Sequence, residues 1–171
     1  YIELYNNSDT ELSLDKYSIR YFSRSGASST DLAGKTWKLS GTIAPHSTMV
    51  IWITNTDETV ADFNTFYKTS LVEGQNIIKI KSTLLIPQSN AVQIELLENT
   101  SIVNRLWYNW GDKSMPTTSE KSNTYEYQDS YTLTNKQLDY KAVPTPGTIQ
   151  TSQVPLLMTV TQWTETYKVS Q

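Results

Sequence analysis

Cysteine is absent from the 171 residues, and histidine occurs once, at position 46. Without cysteine there is no disulfide framework, redox pair or thiolate zinc site, and one imidazole does not make an ordinary zinc centre. The six glycines stand apart at 26, 34, 41, 74, 111 and 147, so no glycine-rich loop is available to cradle a phosphate. No apolar run approaches the roughly 18 residues of a membrane span, and no segment reads as a signal peptide. Positive charge is sparse as well. The 14 Lys and Arg are scattered among 17 Asp and Glu, for a net charge of −3 and a pI near 5.1. Neutralising phosphates needs a concentrated basic patch, so nucleic acid is not an expected partner.

The polar part of the chain is mostly uncharged: 24 Thr, 19 Ser and 11 Asn, with only 18% charged residues. Threonine together with 11 Tyr and 5 Trp favours pleated, half-exposed strands, while Asn and Ser favour the turns between them. The expectation is an all-β fold. A chain of this length can bury roughly 70% of the surface its unfolded form exposes, enough for one core without a metal or disulfide. Cysteine-free composition is also compatible with an exported bacterial protein.

Tyr1 to Tyr5 alternates apolar Ile2 and Leu4 with polar or aromatic neighbours; Asn6-Asn7-Ser8-Asp9 breaks the run, and Leu12 and Leu14 resume it. This pattern predicts a hairpin. Because Tyr1 stands inside a strand pattern, the sequence reads as an excerpt of a longer chain. Further strands are predicted over Tyr17 to Phe22, around Trp37 and Leu39, at Met49 to Ile53, Ile77 to Ile80, Ala91 to Leu97, Ile102 to Tyr108 and Thr124 to Tyr131. Five consecutive apolar residues at 49 to 53 imply burial on both faces, and Trp52 and Leu39 are expected in the central core. Ser23 to Gly34 has almost nothing to bury and reads as an exposed loop. Asn99-Thr100 is a short hairpin turn. One segment departs from period two: Val60, Phe63 and Tyr67 recur at three and four residues, which predicts a helix over Glu58 to Lys68 capped by Thr56 or Asp57.

Val143-Pro144-Thr145-Pro146-Gly147 closes the domain, since two prolines and a glycine stop helix and central strand alike. The organisation is therefore a domain over 1–150, followed by 151–171 as a further strand or a linker. Within the latter, Val154, Leu156, Met158 and Val160 alternate as an edge strand would, able to pair with its own domain or with a second copy.

Four places resemble the lamin tail domain in its bacterial form: Ile2-Glu3-Leu4-Tyr5-Asn6; Leu12-Ser13-Leu14 followed by an aromatic; Trp37-Lys38-Leu39 with Gly41-Thr42-Ile43-Ala44-Pro45-His46; and Pro144-Thr145-Pro146-Gly147. Lys16 and Tyr17 stand where that family usually has Gly and Trp. The strand that normally precedes the Ile-Glu-Leu-Tyr-Asn motif is absent, and the helical segment looks like an insertion. The resemblance implies an immunoglobulin-like β-sandwich at the cell surface or outside the cell, serving as a binding or scaffolding module and not as an enzyme.

Chemistry-bearing residues give the same answer. Acyl transfer needs a histidine to take the nucleophile's proton, and His46 sits beside Pro45 in a turn with no nucleophile motif nearby. Paired carboxylates could hydrolyse glycosides or hold Ca²⁺. Asp9, Asp15, Asp31, Asp57 and Asp62 are isolated, however, and read as solvated turn acids. No catalytic residue, metal or cofactor is expected. For binding, Trp107, Trp110, Tyr125 and Tyr127 offer flat apolar faces with a polar handle, the chemistry that stacks on sugars or anchors a protein. The same rings also suit a sandwich core or its rim. A protein or polysaccharide partner is thus expected. The second reading is a carbohydrate-binding accessory module of a secreted hydrolase or nuclease.

Overall fold

The computed structural model describes residues 1–24, 33–110, 121–126 and 131–155. The chain runs β1 (Ile2–Tyr5), β2 (Leu12–Ser13), β3 (Tyr17–Arg24), β4 (Ala33–Lys38), β5 (Thr42–Ile43), β6 (Thr48–Thr54), α1 (Val60–Tyr67), β7 (Ile77–Lys81), β8 (Ala91–Glu98), β9 (Ser101–Tyr108), β10 (Ser122–Tyr125) and β11 (Gln137–Ala142). Two sheets make an all-β, sandwich-like body: an antiparallel sheet in the order β4-β3-β8-β9 and a three-stranded sheet in the order β1-β6-β7. Two short ladders, β2-β5 and β10-β11, flank them.

Period-two patterning accounts for the core between the sheets. Ile19, Tyr21, Trp37, Val92, Ile94 and Tyr108 point inward from the four-stranded sheet and meet Met49 and Ile51 from β6, with Leu14, Leu39 and Ile43 closing one side. The Tyr21 and Trp37 rings stack at 5.3 Å between centroids, 15° from parallel. Leu39 is 4% exposed and belongs to this core as expected. Trp52 does not. Its parity in β6 matches Val50, so it lies on the opposite side, partly buried against the smaller cluster of Val50, Phe63, Leu71 and Ile77. The apolar run in β6 is buried on both faces at Met49, Val50 and Ile51.

That second cluster exists because a helix covers the outer side of the three-stranded sheet. β6 and β7 are parallel, pairing Val50 with Ile77 and Ile53 with Ile80, and α1 forms part of the crossover that parallel neighbours require. Val60, Phe63 and Tyr67 pack toward the sheet as their spacing predicts. The cap is Thr59, not Thr56 or Asp57. Asp62, three residues on, accepts from the Thr59 backbone N–H at 2.7 Å while Thr59 Oγ1 accepts from the Asp62 N–H at 3.3 Å, and only Thr59 has a partner that completes this reciprocal box. Thr56 instead donates to Glu58, and Asp57 pairs with Lys81.

The expected hairpin between the first two strands does not form. β1 pairs with β6, Ile2 opposite Ile51 and Leu4 opposite Met49, while β2 pairs with β5. Asn6, 3% exposed, supplies the reason. Its Nδ2 donates to the carbonyls of Thr10, Ile43 and Ala44, its Oδ1 accepts from the Ser8 N–H and hydroxyl, and its own N–H donates to the Ser47 carbonyl. This corner ties the chain to the turn before β6, and a buried amide so fully satisfied holds it there.

Other boundaries also shift. The segment expected as a loop from Ser23 to Gly34 is strand at both ends, where Ser23 pairs with Ala33 and Phe22 with Gly34. Ser23 is buried, and residues 25–32 lie outside the described residues. Gly34 is required by close approach: a Cβ there would lie 2.0 Å from the Tyr21 carbonyl oxygen. Of the strand expected at Thr124 to Tyr131, Thr124 and Tyr125 belong to β10 and Tyr131 stands in a turn, while residues 127–130 lie outside the described residues; the partner strand β11 was not anticipated. The Asn99-Thr100 turn joins β8 and β9 as expected, with Asn99 at φ 55°. Residues 151 to 153 form one 3-10 turn, and Val154 and Pro155 are outside any strand. The remainder of the Val154 to Val160 segment lies outside the described residues.

Candidate functional site: the outer face of the four-stranded sheet

Because Ile19 and Tyr21, Val92 and Ile94, and Leu106 and Tyr108 face the core, the residues between and beside them must face outward. Register then sets these residues in two parallel rows. Thr36, Arg20, Glu95 and Arg105 are consecutive cross-strand neighbours, and Gly34, Phe22, Gln93 and Trp107 form the next row.

Glu95 is the centre of the arrangement. It is 2% exposed although it lies on the outward face, and its carboxylate accepts four hydrogen bonds. Arg20 donates through Nε and Nη2 to Oε2 at 2.8 and 2.6 Å. Gln93 Nε2 and Arg105 Nε donate to Oε1 at 2.7 and 3.3 Å. Gln93 in turn accepts from the Trp107 indole N–H at 3.0 Å. Each guanidinium also lies near an aromatic ring two residues along its own strand, Arg20 5.0 Å from the Phe22 centroid and Arg105 5.9 Å from that of Trp107. The two arginine side chains are 33% and 30% exposed. Burying a carboxylate is tolerable only with such complete pairing. The result is a stiff layer in which one acid holds two cations in place.

Of the four aromatic residues singled out from the sequence, Trp107 belongs to this face, while its neighbour Tyr108 points into the core. Tyr125 meets Trp107 through the backbone: its hydroxyl donates to the Trp107 carbonyl at 2.8 Å. Burial pushes the Tyr125 phenol above its usual range. Trp110 follows the end of β9 and is partly buried, and Tyr127 lies outside the described residues. Arg20, Phe22, Gln93, Glu95 and Arg105 were not identified from the sequence. The available signal was a repeated alternation, Arg-Tyr-Phe, Gln-Ile-Glu and Arg-Leu-Trp, in which polar and aromatic residues bracket a core residue.

The acids considered for catalysis are dispersed. His46 Nε2 and Asp9 Oδ1 are 2.7 Å apart, joining two exposed turns, with His46 itself at φ 50°. Asp15 accepts from the Ser13 hydroxyl, Asp57 and Asp62 are used as described above, and Asp31 lies outside the described residues. Among the described residues no three metal-ligating side chains cluster. A different acid is perturbed: Glu3, on β1, accepts from the Gly147 N–H at 3.1 Å and from the Thr48 hydroxyl. Burial outweighs both bonds and pushes its carboxyl up to about 7. This contact fastens the Pro-Thr-Pro-Gly close to the first strand.

No family model matches the chain, and no solved structure matches it. The sequence is similar to "Uncharacterized protein YvnB" of Bacillus subtilis (strain 168), with 27% identity over 160 residues. The similarity covers 91% of this chain but only 12% of that protein, so the chain spans a small fraction of its Bacillus relative's length.

Proposed function

We propose that the chain is a non-catalytic binding module, lamin-tail-like, that works outside the cell or at the cell surface as part of a larger bacterial protein. The observation that carries this reading is the layer on the outer sheet face, where Glu95 is buried between Arg20 and Arg105 and flanked by Phe22 and Trp107. Pre-set side chains on a rigid sheet cost less to order on binding than loop residues do. The small share of the Bacillus relative that the chain matches accords with a module within a long protein. Phe22 and Trp107 in one row with Gln93 between them favour the second reading, a carbohydrate-binding accessory module. Probing immobilised extracellular polymers and surface proteins with the intact chain, while assaying the same substrates for hydrolysis, tests the proposal. Retention without turnover supports it. Turnover lost on substituting Asp9, Asp15 or His46 refutes it.

A further inference from the structure

We infer that the outer face of the β4-β3-β8-β9 sheet binds an anionic, uronate-bearing polysaccharide, with Arg20 and Arg105 taking carboxylates of the polymer. This rests on the binding-module reading above and adds the ligand's chemistry.

Hydrogen-bonding inventory selects the charge. Glu95 accepts from Arg20, Gln93 and Arg105, so its lone pairs are committed and a ligand finds no acceptor there. Gln93 is used at both ends, donating to Glu95 and accepting from Trp107. What the layer still offers is donors: among the described residues, Nη1 of Arg20 and both terminal nitrogens of Arg105 have no protein acceptor. Two guanidiniums against one carboxylate leave a local charge of +1 (two minus one) on a chain whose net charge is −3. A ligand suited to this face is rich in acceptors and negatively charged. Guanidinium forks match carboxylates in shape as well as charge.

Geometry selects the polymer. Arg20 and Arg105 lie on strands separated by β8, so their backbones are about 9.5 Å apart. Repeating carboxylates along a sugar chain suit two fixed cations across a flat surface, and the partly exposed Phe22 ring, over which the Arg20 guanidinium lies at 5.0 Å, sets an aromatic edge beside the cation for a pyranose ring. An extended acidic peptide offers the same carboxylates but no pyranose ring for the aromatic groups beside the arginines.

Affinity electrophoresis and calorimetry of the intact chain with polygalacturonate, dextran and poly-glutamate test the inference. Polygalacturonate should bind, and raising the salt about tenfold should weaken it strongly. Arg105→Gln should weaken binding by about tenfold or more, and Arg105→Lys by less. Arg105 is the better variant because its 3.3 Å contact to Glu95 is longer than those of Arg20. A melting curve for each variant separates loss of binding from loss of fold. Should Arg105→Gln unfold, Phe22→Leu, expected to weaken polygalacturonate while sparing the Arg-Glu-Arg layer, takes its place. Failure of polygalacturonate to bind, or indifference of its affinity to both variants, overturns the inference. Equal or tighter binding of dextran or poly-glutamate also overturns it, while leaving the binding module intact. Release of reducing ends from a polymer would overturn the module reading itself.

Discussion

Replacing Glu3 by Gln should change the pH dependence of stability in a direction opposite to the usual carboxylate. Glu3 lies on β1 and accepts from Gly147 N–H and the Thr48 hydroxyl. Both bonds favour the charged form, but burial favours the neutral form more and raises the folded-state pKa from 4.5 to about 7. The folded protein therefore binds this proton more tightly than the unfolded chain does. Its stabilising contribution is complete below pH 4.5 and is lost as pH rises through about 7. A shift of this size corresponds to about 3 kcal/mol, and residual solvent access reduces it to about 2 kcal/mol. Gln stays neutral throughout and keeps a carbonyl for Gly147. Relative to wild type, Glu3→Gln should be nearly neutral at pH 4.5 and about 2 kcal/mol more stable at pH 8, a melting-temperature gain of roughly 4 to 8 °C for a domain of this size. Urea unfolding of both proteins across that range is the assay. A difference that does not change with pH, or a wild type that gains on the mutant as pH rises, would show that burial does not hold Glu3 neutral.

Asn6→Ala should cost about 2 to 3 kcal/mol in urea unfolding, since it strands the carbonyls of Thr10, Ile43 and Ala44 at a buried corner; a loss under about 0.5 kcal/mol would show that water replaces the amide. Leu39→Ala should cost about 3 kcal/mol and Trp52→Ala about 2 kcal/mol, because Leu39 is buried between the two sheets and Trp52 only partly so under the helix. Denaturant midpoints that reverse this order would move Trp52 into the main core. Gly147→Ala should lower the melting temperature by several degrees, roughly 1 to 2 kcal/mol, because its φ is +87° and a Cβ would lie 2.8 Å from Leu71 Cδ2. Unchanged melting would mean that the close does not pack on Leu71.

Features that depend on neighbours within a few positions were legible in the chain before it folded. Alternation at Ile19 and Tyr21 or at Val92 and Ile94 specifies a strand and its buried face, and the Val60, Phe63, Tyr67 spacing specifies a helix, because both patterns express local backbone geometry. Asn99-Thr100 likewise announced its turn. Which strands meet was left to long-range packing. Nothing within Tyr1 to Ile19 shows that β1 prefers β6, since the amide of Asn6 finds its partners near residues 43 and 44. The parallel β6-β7 pair was equally invisible, because strand direction is set by the path of the crossover. The candidate site had the same limit. Glu95 reads as an ordinary exposed acid until register brings Arg20, 75 residues away in the chain, and Arg105 to either side of it. Glu3 reads as a solvated strand residue until the close at Gly147 covers it. Charge burial is a sum over groups from distant segments, and only packing brings those groups together.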